Sequence, residues 1–110
     1  MKTSLGLEEN VEAALAYLLG FVSGILLLLI ERQSTFVRFH AAQSVVAFLG
    51  LFLIWKILPL IPPFGGVAAV VIPFVSFVVW IYCIVRAYRH EYFKLPIAGD
   101  VAENFISRTF

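Results

Sequence analysis

Three long apolar stretches alternate with short polar or helix-breaking segments, and that alternation predicts membrane-crossing helices over 11–30, 41–58 and 67–85. Each stretch is about the twenty residues that a helix needs to cross the hydrocarbon core. A polar hinge from Glu31 to Ser44 separates the first two, and the chain must leave lipid there, turn and re-enter. The second helix has room to begin as early as Phe36. Between the second and third runs lies Pro59-Leu60-Ile61-Pro62-Pro63-Phe64-Gly65-Gly66, an uncharged breaker cluster that predicts a tight connection at headgroup level. After 85 the pattern changes to an interfacial tail over 86–110. There Asp100 and Glu103 have capping-box spacing, which predicts a short helix over 101–107. The predicted fold class is therefore all-α: one polytopic membrane domain of three transmembrane helices with a short interfacial C-terminal helix.

Finer features refine each span. Ala16, Gly20 and Gly24 recur every fourth residue and form a smooth ridge, which serves either packing inside the protomer or a homodimer seam. His40, Gln43, Ser44 and Ala47 share one helical face, and polar groups at that depth must face protein or water. Trp55 and Lys56 suit the far interface, where an indole and a snorkelling ammonium settle. Pro73 removes a backbone donor inside the third run, and Ser76 is placed to help satisfy the freed backbone.

Composition removes the soluble alternative. The chain has 110 residues, 62% hydrophobic and 14% charged, whereas soluble domains are about 45–50% apolar and about 25% charged. A net charge of +1 gives no basic face for a nucleic-acid partner. The expected partners are the lipid bilayer, a second copy of the chain or another membrane protein. The leading segment carries Glu8, Glu9 and Glu12 against Lys2, unlike a signal peptide, so the first run is read as a permanent span. With three spans the hinge and tail share a side, which carries Arg32, Arg38, Arg86, Arg89, Lys94 and Arg108 against Lys2 and Lys56 opposite. That bias predicts a multi-pass cell-membrane protein with its N-terminus outside and its C-terminus cytoplasmic.

Two stretches, Arg38-Phe39-His40-Ala41-Ala42-Gln43-Ser44 and Phe93-Lys94-Leu95-Pro96-Ile97-Ala98-Gly99-Asp100-Val101-Ala102-Glu103, carry a resemblance. With the apolar spans between them they resemble a family of small integral membrane proteins of archaea and bacteria, over nearly the whole chain. More distantly they are similar to the small polytopic subunit of the protein-import translocon of the chloroplast inner envelope. The distant resemblance implies four helices and a part in protein conduction, whereas this chain shows three apolar runs. Arg38, Phe39, His40, Pro96 and Asp100 match, and the resemblance implies no catalytic role for any of them.

The chain contains no phosphate loop, nucleophile elbow, zinc-protease helix or cysteine pair. No enzyme, metal or cofactor is expected. His40 and His90 lack a companion at ligand spacing, and Cys83 lies in an apolar run as a small hydrophobe. The polar candidates are Arg38, His40, Gln43 and Asp100, read either as a cluster in which Arg38 and Asp100 dock the tail against the hinge or as charges that each snorkel to water. The function expected is a non-catalytic structural or assembly component of a membrane complex; the alternative is an oligomeric, translocon-like pore.

Overall fold

The helix that the rest of the chain packs around begins at Ser34, whose hydroxyl oxygen accepts the Val37 N–H at 3.2 Å and satisfies one orphan donor of the first turn. The computed structural model describes residues 6–63, 65–95 and 97–109. Lys2, Phe64 and Pro96 lie outside the described residues. Five helices follow in order: α1 (Glu9–Leu18), α2 (Phe21–Ile30), α3 (Thr35–Ile57), α4 (Gly65–Tyr88) and α5 (Ala98–Thr109), with a single 3-10 turn at Leu58–Leu60. Among them α3, extended by that turn, and α4 are long and apolar enough to cross a membrane.

The continuous span expected over 11–30 is absent. It is broken at Leu19–Gly20, where Gly20 takes φ +63, a conformation that costs a side-chain-bearing residue dearly. The two halves then fold back on each other. Ala16 of α1 and Leu27 of α2 share one buried cluster with Ala41, although a straight helix would hold them about 16 Å apart. The ends agree, because Ser34 Oγ donates to a Glu9 carboxylate oxygen while Ser34 N–H donates to Glu31 Oε2 at 2.9 Å. Each half is about 15 Å long, half of a hydrocarbon core, so α1 and α2 make a helical hairpin lying along the first part of α3. Glu9 therefore stands at the same end of the bundle as the hinge, and not at the opposite end as a first span would require.

The tail repeats the manoeuvre in another conformation. After α4 the chain bends at His90 (φ +62), runs extended along α3, bends again at Ile97 (φ +68) and returns as α5. Its buried residues Ala102 and Ile106 pack on Phe39 and Ala42 of α3. Asp100, expected to cap a helix over 101–107, lies inside the first turn of α5, which starts earlier at Ala98. The earlier start follows from Gly99 N–H, which donates to Leu95 O at 2.9 Å. It also needs Gly99 itself, because a Cβ there would sit 2.8 Å from Lys94 Cα.

Among the described residues burial is concentrated in the Ser34 half of the molecule, and the other half is largely exposed. Beyond Phe48 no described residue of α3 is buried, and on α4 from Gly65 to Tyr82 only Ala68 is. Within that half, Pro73 leaves the Ala69 carbonyl without its helical donor, and Trp55 Nε1 donates to it at 3.3 Å. Ser76, the residue expected to help there, donates instead to Ile72 O at 2.8 Å.

Candidate functional site: a buried polar network

His40, Gln43 and Ser44 point from one face of α3 into the angle between the hairpin and the tail, and all three are fully buried. His40 Nε2 lies 3.0 Å from the Glu91 carbonyl, which can only accept, so that nitrogen carries the proton. His40 Nδ1 is then an acceptor, and the Tyr17 hydroxyl donates to it at 2.7 Å. Gln43 Nε2 donates in turn to the Tyr17 oxygen at 2.9 Å and to Phe93 O at 3.3 Å. Gln43 Oε1 accepts the Leu95 N–H at 2.8 Å. Three segments distant in sequence, α1, α3 and residues 91–95, are thereby joined through side chains that use both donor and acceptor capacity.

A second set of polar groups seals the hairpin turn. In hydrocarbon the backbone groups freed by a broken helix must find partners inside the protein. Ser23 Oγ donates to Ala16 O at 3.0 Å and accepts the Leu19 N–H at 3.1 Å. Ser44 Oγ donates to Gly20 O at 2.8 Å. Trp80 Nε1, from α4, lies 2.7 Å from Tyr17 O and 3.1 Å from Leu18 O. The predicted small-residue ridge belongs to this contact: Ala16 is fully buried, and a Cβ on Gly24 would stand 2.8 Å from Ala41 O. Those three positions bring the hairpin against α3 within one protomer.

Arg38 turns away from His40 and Gln43. Its Nη1 donates to Leu28 O at 2.8 Å and Glu31 O at 2.7 Å, placing a guanidinium on the C-terminal carbonyls of α2, where the helix dipole favours a cation. Asp100 sits elsewhere, exposed on α5, with Lys94 Nζ at 3.9 Å; the same ammonium lies 2.7 Å from Glu103 Oε2. That hydrogen bond with Glu103 is the main reason the Lys94 ammonium holds its proton above its ordinary range. The four candidates thus divide among three places: His40 and Gln43 in the network, Arg38 at the hairpin end, Asp100 on the tail. Cys83 is a buried thiol in the hydrophobic core beside Tyr17 and Ala87. Among the described residues no group of three or more His, Cys, Asp and Glu side chains could hold a metal ion.

Tyr17, Ser23, Trp80 and the 91–95 backbone were not singled out from the sequence. Tyr17 and Ser23 did carry a signal, being polar atoms in the middle of an apolar run.

Two apolar helices of bilayer length, a broken helix with its freed backbone sealed, and a polar interior facing protein define a small helical membrane protein. Residues 8–102 match the model of the magnetosome magnetite crystal formation protein family. A UPF0132 membrane protein of Methanocaldococcus jannaschii is 47% identical over 104 residues, 94% of either chain. One from Archaeoglobus fulgidus is 46% identical over 100 residues, covering 91% of this chain and 97% of the relative. A second Methanocaldococcus jannaschii protein of that name is 44% identical over 102 residues, 93% of this chain and 73% of its own. No solved structure matches. The chain belongs to this family, and it belongs with the archaeal UPF0132 membrane proteins to which it is 44–47% identical.

Proposed function

We propose that the chain is a non-catalytic, multi-pass protein of the cell membrane, a structural or assembly component in which α3 and α4 span and the hairpin and tail enter one leaflet only. What supports this reading is the employment of the buried polar side chains: Tyr17, Ser23, His40, Gln43, Ser44 and Trp80 are engaged in holding backbone and one another. The exterior is dominated by apolar side chains, as a lipid-facing surface requires. Among the described residues Arg32, Arg38, Arg86 and Arg89 gather at the Ser34 end and Lys56 marks the other. By the positive-inside bias, the Ser34 end faces the cytoplasm, and with it the described starts and ends of the chain.

Topology tests this directly. In a Cys83→Ala background, Leu60→Cys should react with an impermeant thiol reagent on intact cells, while Arg89→Cys and Glu8→Cys should react only after permeabilisation. Reaction of Glu8→Cys from outside would restore a full first span and defeat the reading.

A second reading, a pore between protomers, draws on one observation: Lys94, Asp100 and Glu103 form an exposed ion cluster on the outer side of the tail. Such a cluster would line an entrance between subunits. The far half offers a poor continuation, since its described polar side chains are Lys56, Ser76 and the Trp55 indole. Oligomer-dependent conductance in planar bilayers would favour the pore, and its absence the structural role.

A further inference from the structure

The re-entrant elements are not distributed evenly across the two leaflets. The hairpin turn at Leu19–Gly20 lies against Phe48, where a Cβ on Gly20 would pack at 3.8 Å, and its furthest ring contact along α3 is Phe21 on Phe52, with centroids 5.9 Å apart. Leu95, Ile97 and Ala98 of the tail lie beside Ala47, Gly50 and Ile54. Six described segments therefore fill the Ser34 half (α1, α2, the start of α3, the end of α4, residues 91–95 and α5), and two helices continue beyond it. Under each turn the bundle narrows abruptly. One notch of about 370 Å³ lies between Leu19, Phe52 and Pro73, and another of about 280 Å³ between Gly50, Val79 and Ile97.

The narrow half is dressed for lipid. Val70 is 73% exposed and Phe74 70%, and Lys56 Nζ stands 4.9 Å from the Trp55 ring centroid, an indole and ammonium pair of the kind that anchors a helix at the headgroups. With a helix about 10 Å across, three additional helical segments give the wide half on the order of 250 Å² more cross-section than the narrow half.

We infer that this protein is a membrane wedge: it enlarges the leaflet at its Ser34 end and so gathers in, and supports, bilayer that is convex on that side. Its partner is curved lipid itself, with acyl chains filling the notches beneath the two turns. The inference rests on the proposed placement of α3 and α4 across the bilayer.

The test uses the full chain reconstituted into vesicles of unsaturated phosphatidylcholine and phosphatidylglycerol, separated into small and large fractions. Protein per lipid should be severalfold higher in the small vesicles. Insertion there should be biased, with Arg89→Cys, at the wide end, labelled from outside severalfold more than Leu60→Cys, at the narrow end. Large vesicles should show little bias. Equal density and equal orientation in both fractions overturn the wedge. A bimane on Val70→Cys in the Cys83→Ala background adds a check on the narrow half: brominated phosphatidylcholine should quench it. Absence of quenching together with a Val70→Cys disulfide between copies would mean that a second protomer covers this half, which also overturns the wedge. If Leu60→Cys and Arg89→Cys prove to lie on one side of the membrane, the spanning placement fails; if they lie on opposite sides and sorting is flat, the wedge alone fails.

Discussion

The Tyr17 hydroxyl donates to His40 Nδ1 across 2.7 Å, and His40 passes the same polarity on to the Glu91 carbonyl, so a residue of the hairpin and one of the tail are held through a single imidazole. Removing the hydroxyl strands two buried partners at once, His40 Nδ1 and one N–H of Gln43. Tyr17→Phe should therefore cost about 1–3 kcal/mol, the range for buried groups left unsatisfied. Membrane-helix hydrogen bonds measured in pairs average nearer ~0.6 kcal/mol, because partners are found elsewhere, which sets the floor. Equilibrium unfolding in detergent measures the loss. Combining Tyr17→Phe with Gln43→Leu should cost clearly less than the sum of the two.

The indoles provide a second contrast. Trp80→Phe uncovers Leu18 O at the hairpin turn and leaves Tyr17 O with the Gly20 N–H alone, and Trp55→Phe uncovers Ala69 O above Pro73. Each should destabilise by about 1–3 kcal/mol. Only the first should loosen the hairpin, seen as faster hydrogen exchange at Gly20 and Leu19.

Backbone conformation separates the small-residue positions. Gly24→Ala forces a Cβ to within 2.8 Å of Ala41 O and should cost about 1–3 kcal/mol by overpacking. Gly50 meets nothing within 4 Å, so Gly50→Ala should stabilise, by up to about 1 kcal/mol of helix propensity. Ile97 holds φ +68 with a β-branched side chain that is 79% exposed, so Ile97→Gly should gain about 1–2 kcal/mol. Thermal unfolding of the three variants in one detergent orders them.

Lys94 supplies a pH dependence. Its ammonium is held protonated above its ordinary range by Glu103, so the stability it adds to the docked tail is fully present below the unfolded pKa and is lost as pH rises through the folded one. Protease cleavage within α5 should thus be unchanged across neutral pH and increase only in strongly alkaline buffer. Lys94→Gln should remove that alkaline increase.

Helix identity was readable from the chain because apolar run length and breaker position are local properties: α3 starts at Thr35, ahead of the expected 41–58 run, and ends at Ile57, and α4 extends the expected 67–85 run to Gly65–Tyr88. Whether a run of twenty apolar residues crosses or doubles back is not local. It depends here on Gly20 taking a left-handed conformation and on Ser44 and Trp80 being brought to the break from α3 and α4. Glu12, fully buried within the run, was the available hint, since a carboxylate at membrane depth must face protein or water. The site divides in the same way. His40 and Gln43 could be grouped because they share a helical face, whereas Asp100 could not be placed, because the bend at Ile97 decides which basic residue it meets.

The seal on the hairpin also sets a schedule for biosynthesis. Trp80, whose indole reaches the carbonyls of Tyr17 and Leu18, is made 63 residues after Tyr17. At 5–20 residues per second the ribosome needs roughly 3–13 s to supply that indole. Throughout that interval the Leu18 carbonyl lacks the indole donor, which the membrane interior does not tolerate, whereas Tyr17 O already accepts the Gly20 N–H at 3.0 Å. The nascent hairpin must therefore wait at the bilayer surface or within the insertion machinery, and α4 must arrive before the first twenty residues of the bundle can settle.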